Sequence, residues 1–563
     1  MQISSKKKNL FQLFLSVLVV LLAYQLLQVF HFRVDLTSEK RFTLSDNTKA
    51  LLADLKKPVY FEIYLDGDLP HGFNKLKNAT VDLIEEFKSY TGVEIAYSFI
   101  DVNAQLNPKL KEKSLRELSE RGLKPTSIQE TSRDGSVKQK IIVPGLFVHD
   151  GKKETPVNLL KSVSGLSADQ NLNHSIESIE YELSMAIRLL NQTKVKEIAF
   201  FTGQGELGEY EVADFTASLL QRYKVSRATA YELSKDFKRF ACVIVAQPRK
   251  EFSKKAKYAL DQYIMNGGKV MWLIDEVAAS MDSISANGMS MAFYKPLNLE
   301  DQLFKYGVRI NPDLVMDVQS QLIPVQSSAS GQNGKYVPAP WYYSPLLAPP
   351  SNHPITRKLN MVRVEFANSI DKVGNNPNLK HTVLLASSNF TRLQKVPTPI
   401  RLDIVGQKME AKDFPDGSKV MSVLIEGKFQ SIFKNRIWEG IDRSTYKDES
   451  PESKMIVISD GDMIRNRVRG VGGNMQMEAL GYDRYSRKTY GNRNFLLNCV
   501  DYLCDDEGWM NLRSREVKLR LLDKTKLRED RLFYQVLNLG LPLVLLLFFA
   551  IIWRYLRRKR YRN

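Results

Sequence analysis

Cysteine and histidine are scarce. The 563 residues hold three cysteines and six histidines. None falls into a CxxC or mixed Cys/His spacing, which excludes the common structural zinc sites. Cys499 and Cys504 stand five apart in an expected helix and point to different sides, so they suit a disulfide poorly. No Lys-Ser/Thr pair follows a glycine loop, which excludes a P-loop, so any ATP hydrolysis must come from elsewhere. A G-x-C-x-G nucleophile elbow is missing too, because Cys242 lies in an apolar strand without glycines and reads as core. His31 borders a long apolar run. His71, His149, His174, His353 and His381 have no cysteine or serine partner at motif spacing. A constellation assembled in space stays open.

Basic charge is abundant: the formal net charge is +18. Such an excess first suggests nucleic acid, but its placement argues otherwise. Lys6, Lys7 and Lys8 open the chain, and Arg554, Arg557, Arg558, Lys559, Arg560 and Arg562 close it. Those residues supply half the excess, and both clusters flank uncharged runs, at 10–30 and 532–553. Each run is long enough to cross a bilayer. The first lacks a small-x-small cleavage site, so an uncleaved anchor is expected rather than a signal peptide. The terminal clusters place residues 1–9 and 554–563 in the cytoplasm and residues 33–531 outside. The expected location is therefore a bacterial inner membrane with the bulk in the periplasm, and the bilayer is itself a partner.

Two exterior domains are expected. In 33–192, a β-α-β unit spans "PVYFEIYL" (58–65), a helix at 78–90 and "VEIAYSFIDV" (93–102). A charged helix at 109–122 follows, and then an antiparallel meander turned at Asp134-Gly135 and Asp150-Gly151. Ile176, Ile179, Leu183, Ile187 and Leu190 form one helical stripe in 174–190. In 193–510, apolar runs alternate with helical patterns, which predicts a doubly wound parallel sheet. Its strands are "KEIAFFT", "VSRATAYEL", "FACVIVAQP" (240–248), "KVMWLID", "HTVLLASS" (381–388), "KVMSVLIEGK" (419–428) and "KMIVISDGDMI" (454–464). Helices are expected with Val212, Phe215 and Leu219 inward, before Gly267 and Gly268, and at 492–504. Residues 319–354, rich in Ser, Gln and Pro, read as an irregular excursion. Residues 511–531 read as a basic juxtamembrane stretch. The fold class is thus α/β and membrane-anchored, with a smaller α+β domain first and one transmembrane helix at each end.

"FFTGQGELGEY" places Gly203, Gly205 and Gly208 in G-x-G-x-x-G register after a strand, and Glu232 stands where a ribose-binding acid would. Against a dinucleotide site, Glu206, Glu209 and Glu211 crowd the phosphate position, and Gln204 and Glu206 replace the small residues that let backbone and phosphate meet. The loop therefore reads as a tight βα turn needing positive φ, with Gly203, Gln204, Gly205 and Glu206 structural or interacting. Asp460 and Asp462 end a strand at the sheet edge where such folds bind ligands, so they could hold a divalent cation or be solvated turn residues. Met281, Met289 and Met291 read as packing or loop residues, with a soft-metal or promiscuous binding surface as the alternative. No cofactor, metal site or catalytic residue is assigned.

"FFTGQGE" resembles the Gly-His-Gly-Glu loop of the auxiliary, formerly "substrate-binding", components of ABC transporters linked to gliding motility (GldG-like), a module similar to one in intraflagellar-transport proteins. "DLTSEKRFTLSDNTKALLADLKKPV" (35–59), "YIMNGGKVMWLID" (263–275), "NHPITRKL" (352–359), "VISDGDMIRN" (457–466) and "GNRNFLLNCVDYL" (491–503) agree in order. Gln204 stands where His is common. The resemblance implies a non-enzymatic component of an ABC-type complex in gliding motility. Its implied partners are a multi-span permease-like subunit, a cytoplasmic ATPase and other envelope or motility proteins. The alternatives are a membrane-bound amidotransferase-like or hydrolase-like enzyme, and a small-solute receptor serving the transporter.

Overall fold

The computed structural model describes residues 11, 13–22, 25, 43–104, 107–131, 137–163, 166–192, 194–326, 336–374, 376–407, 409–435, 446–469, 476–514 and 529–560. Residues Leu44–Arg515 form one compact unit; Met1–Thr43 and Glu516–Asn563 form a second.

The large unit begins with α1 (Asp46–Ala53), started by the Ser45 hydroxyl, which accepts the Thr48 N–H at 3.2 Å. Then β1 (Val59–Ile63), α2 (His71–Lys88) and β2 (Ile95–Phe99) make the expected β-α-β unit, with β1 and β2 parallel. After α3 (Pro108–Glu120), β3 (Thr126–Thr131) and β4 (Val137–Ile142) form a separate hairpin. β5 (Gly145–His149) and β6 (Glu154–Asn158) complete a four-stranded sheet, order β2-β1-β5-β6. A Ser167/Gln170 capping box opens α4 (Ala168–Asn191), which lays Ile179, Leu183, Ile187 and Leu190 onto that sheet's core.

A seven-stranded sheet follows. Its first half comprises β7 (Glu197–Phe201), α5 (Ala213–Leu220), β8 (Lys224–Ala228), α6 (Ala230–Lys235), β9 (Phe240–Ala246), α7 (Lys254–Met265) and β10 (Val270–Leu273). It continues with β11 (Leu379–Ala386), β12 (Val420–Gln430), β13 (Glu449–Ile458) and α8 (Asn492–Leu503). The order is β11-β12-β13-β10-β9-β7-β8. Side chains alternate between two cores: β10 sends Met271 and Leu273 to the side of α5 and α8, and Val270 and Trp272 to the side of α7.

Three expectations change. The sheet is mixed, because β12 runs antiparallel to both neighbours. Among the described residues no long helix crosses between β11, β12 and β13, so adjacent strands must reverse direction. "VSRATAYEL" is not one strand. It ends at Ala228 because Thr229 and Glu232 form a capping box for α6. Residues 319–354 are not irregular either: Ser320–Gln326 and Tyr336–Leu347 pair as an antiparallel hairpin. Pro338 and Pro340 are two apart and lie opposite Pro324 and Leu322, so the missing N–H groups all fall at pairs that exchange no hydrogen bond.

In the second unit, α9 (Arg531–Arg560) carries the expected second span; by length and composition Arg531–Lys559 can cross a membrane. Leu13–Leu22 is helical and exposed, and by itself shorter than a span. The remainder of the predicted first span lies largely outside the described residues, as does 515–528 of the predicted basic stretch.

Asp501 of α8 holds the α5–β8 turn: it pairs with the Arg222 guanidinium and accepts the Tyr223 hydroxyl at 2.8 Å. Asp501→Ala leaves Arg222 unpaired and should cost about 3 kcal/mol, with Asp501→Asn costing less. Denaturant unfolding of the detergent-solubilised chain reads both, and an unchanged midpoint for the alanine variant would contradict this role.

Candidate functional site

The carboxyl ends of β7, β9, β10 and β13 meet along one edge, where sheets of this kind bind ligands. β7 runs into the glycine loop, whose Gly203 and Gly205 have φ of +129° and +73°. Such values are open to glycine and strained for other residues. They turn successive N–H groups inward to form a cradle for an anion. That cradle is filled from within. Glu206 Oε2 accepts the Gly203 N–H at 2.9 Å and the Gln204 N–H at 2.8 Å. Glu211 repeats the device one turn on, accepting the Gly208 N–H at 2.8 Å and pairing with Arg249 and Arg465.

The loop is also tied to β9. The Gln204 carbonyl accepts N–H groups from Arg249 at 2.9 Å and Lys250 at 2.8 Å, and the Leu207 N–H reaches the Ala246 carbonyl at 3.0 Å. Gln204 is 8% exposed, and its Oε1, like Glu206 Oε1, is buried without a partner. Burial pushes the Glu206 carboxyl above its ordinary value despite its backbone donors. Glu232 takes no part in this site; its carboxylate is held by Thr229.

Asp460 and Asp462 follow β13. Asp460 is fully buried: its Oδ1 accepts the Asp462 and Met463 N–H groups at 2.8 and 3.2 Å, and its Oδ2 accepts that of Glu365 at 2.9 Å. Asp275, which follows β10, accepts the Gly461 N–H at 2.5 Å and the Gln247 side-chain amide at 2.9 Å, and lies 3.6 Å from Lys295 Nζ. These acids are thus engaged by donors of the chain itself, and no group of three or more His, Cys, Asp or Glu able to hold a metal occurs among the described residues. Burial, Asp275 and Glu365 push Asp462 up to about 7. Burial and Asp462 push Asp460 up as well. The two carboxyl groups are neighbours, so the pair as a whole holds a proton to higher pH than ordinary aspartates do.

Gln247, Arg249, Asp275 and Arg465 belong to this edge although none was singled out as a site residue; Asp275 and Arg465 lie within the quoted stretches 263–275 and 457–466. One signal was legible: "KVMWLID" and "KMIVISD" both end in Asp, and their strands are neighbours. Gln247 has φ +51°, outside the usual range for its residue type, which sequence does not reveal.

The family of ABC-type uncharacterized transport systems matches residues 195–499, which include every residue of this edge. The chain belongs to that family. In front of the transport-system region, residues 38–149 match a domain of unknown function, DUF7088. An "Uncharacterized protein" of Borreliella burgdorferi is 21% identical over 536 residues, covering 92% of this chain and 91% of its own. Among solved structures, the mmIFT52 N-terminal domain is similar at 13% identity with a TM-score of 0.30, over 55% of this chain and 98% of that one. A likeness that distant carries nothing about fold or function here.

The raised Asp462 sets a pH dependence for this family member. Its carboxyl keeps a proton in the fold up to about 7, against 3.8 for the ordinary side chain. Between those values the folded state binds a proton that the unfolded state has lost, so stability falls as pH rises across the window. Asp462→Asn should flatten the fall in unfolding midpoint between about pH 4 and pH 7. Parallel profiles for the two proteins would contradict the assignment.

Proposed function

We propose that the chain is a non-enzymatic, membrane-anchored, extracytoplasmic auxiliary component of an ABC-type transport complex. The observation that carries this reading is the family match over 195–499, followed in the chain by a helix able to cross a membrane. Both termini lie in the cytoplasm and both apolar runs span the inner membrane. What supports that orientation is the pair of terminal basic clusters. A multi-span permease and a separate ATPase supply the translocation path and the hydrolysis, since this sequence has no P-loop. Gliding motility is the process implied by the resemblance of "FFTGQGE" and its companion motifs.

In this reading the Gly203–Glu206 loop is structural. Its inward donors serve to shape the turn and hold it against β9, and the parallel-sheet edge transmits contacts rather than performing chemistry.

Co-purification of the tagged full-length chain from native membranes tests this. We expect a multi-span subunit and a P-loop ATPase in near-stoichiometric amounts, and loss of the transport or motility phenotype when the chain is deleted. A chain that comes out alone, with permease and ATPase assembled without it, would overturn the proposal.

A further inference from the structure

Beyond the carboxyl edge, the chain builds a satellite lobe from Val277–Ala278, Met289–Tyr294, Thr398–Arg401 and the 320–347 hairpin. Its three-stranded sheet has one covered face. Val277, Ala292 and Ile400 point into a core with Trp341, Tyr342 and Phe414. On a sheet with one wet face, the alternate residues should be polar. Here they are not. Met289, Met291 and Phe293 are 43%, 39% and 52% exposed, and their cross-strand neighbours include Pro399 opposite Met291 and Ala278 opposite Phe293. The one charge on this face, Arg401 opposite Met289, is paired with Asp403 at 3.0 Å. The reading of Met289 and Met291 as packing residues therefore fails.

Charge is depleted well beyond this face. Residues 277–294, 318–326 and 336–347 contain a single charged residue, Asp282, in a chain that is 26% charged. Depletion of charge with enrichment of Met and aromatic residues marks the centre of protein interfaces. Surfaces that rest on a bilayer instead carry Lys and Arg for anionic headgroups, and among the described residues of this face Arg401 alone is basic and is paired. Strand addition by a second copy is hindered at the hairpin's free edge, where Pro324 has no N–H to offer. Five side chains also fall far short of the ~800 Å² per partner that holds a free-standing dimer together. So small a neutral patch suits a partner already held nearby by other contacts, which raise its effective concentration.

We propose that the face of Met289, Met291 and Phe293 docks a neutral, apolar surface of another protein within the same membrane complex. This deepens the auxiliary reading by naming a docking face, and it can fail separately from that reading.

The test is site-specific photo-crosslinking of the full-length chain in native membranes, with a benzophenone side chain at Met291 or at Phe293 and a control at Tyr231, which is exposed on α6. We expect both positions to capture the same single polypeptide through an uncharged segment. The yield should hold at about 1 M salt, where surface charge attraction is screened, and fall at least fivefold with Met289→Lys. That variant should unfold at the wild-type midpoint, because Met289 is exposed. Lipid adducts, a dimer of this chain, a salt-sensitive adduct or no adduct beyond the Tyr231 control would each overturn the proposal. Co-purification with the permease alongside any of those results would leave the auxiliary reading standing without this face.

Discussion

The Glu206 carboxylate resting on the Gly203 and Gln204 N–H groups is the contact on which the carboxyl edge depends. A loop with two positive-φ glycines exposes donors that must be satisfied. In many α/β sheets a phosphate satisfies them; here a side chain three residues away does. That choice makes the loop self-sufficient, and it fixes the entry to α5. With the turn closed, the Gln204 carbonyl can receive two N–H groups from the segment after β9. The edge is then bridged from β7 to β9, and Gln247 carries it on to Asp275 after β10 and so to the Gly461 N–H after β13.

The same logic runs through the acids of that edge. Four carboxyl groups, of Asp275, Glu365, Asp460 and Asp462, crowd one region, which would repel if all were ionised. Backbone N–H groups hold Asp460 and Asp275 in place, Arg465 lies 3.6 Å from Asp462, and burial raises the Asp460–Asp462 pair so that it takes up a proton. The arrangement uses an edge that elsewhere binds ligands to hold loops together. It suits the auxiliary role proposed for this member of the transport-system family.

Much of the strand and helix pattern was legible in the sequence. "KEIAFFT" and "FACVIVA" are unbroken apolar runs because β7 and β9 are covered on both faces. The α4 stripe is legible because Ile179, Leu183, Ile187 and Leu190 recur at helical spacing on the face that meets the sheet, although the opposite face is half-buried too, with Tyr181 bonded to Met510 and Glu177 paired with Lys358. What was not legible had competing chemistry at the same positions. Glu232 has the spacing of a ribose ligand and also that of an N3 capping residue, and only the structure shows Thr229 in its grip. Pro338 and Pro340 read as strand breakers, yet a two-residue spacing places both at pairs that need no donor. Met289, Met291 and Phe293 look like core by composition, and alternation alone does not say which face of a strand is covered.

The central claim is that the glycine loop is occupied by its own glutamate and binds no nucleotide. Equilibrium dialysis of radiolabelled ATP and NAD against the full-length protein in detergent tests it most directly, with and without Mg²⁺, for wild type and for Glu206→Ala. The account predicts no saturable binding to wild type at millimolar nucleotide. Saturable wild-type binding that is lost on Gly205→Ala, in a protein that still unfolds cooperatively, would contradict it.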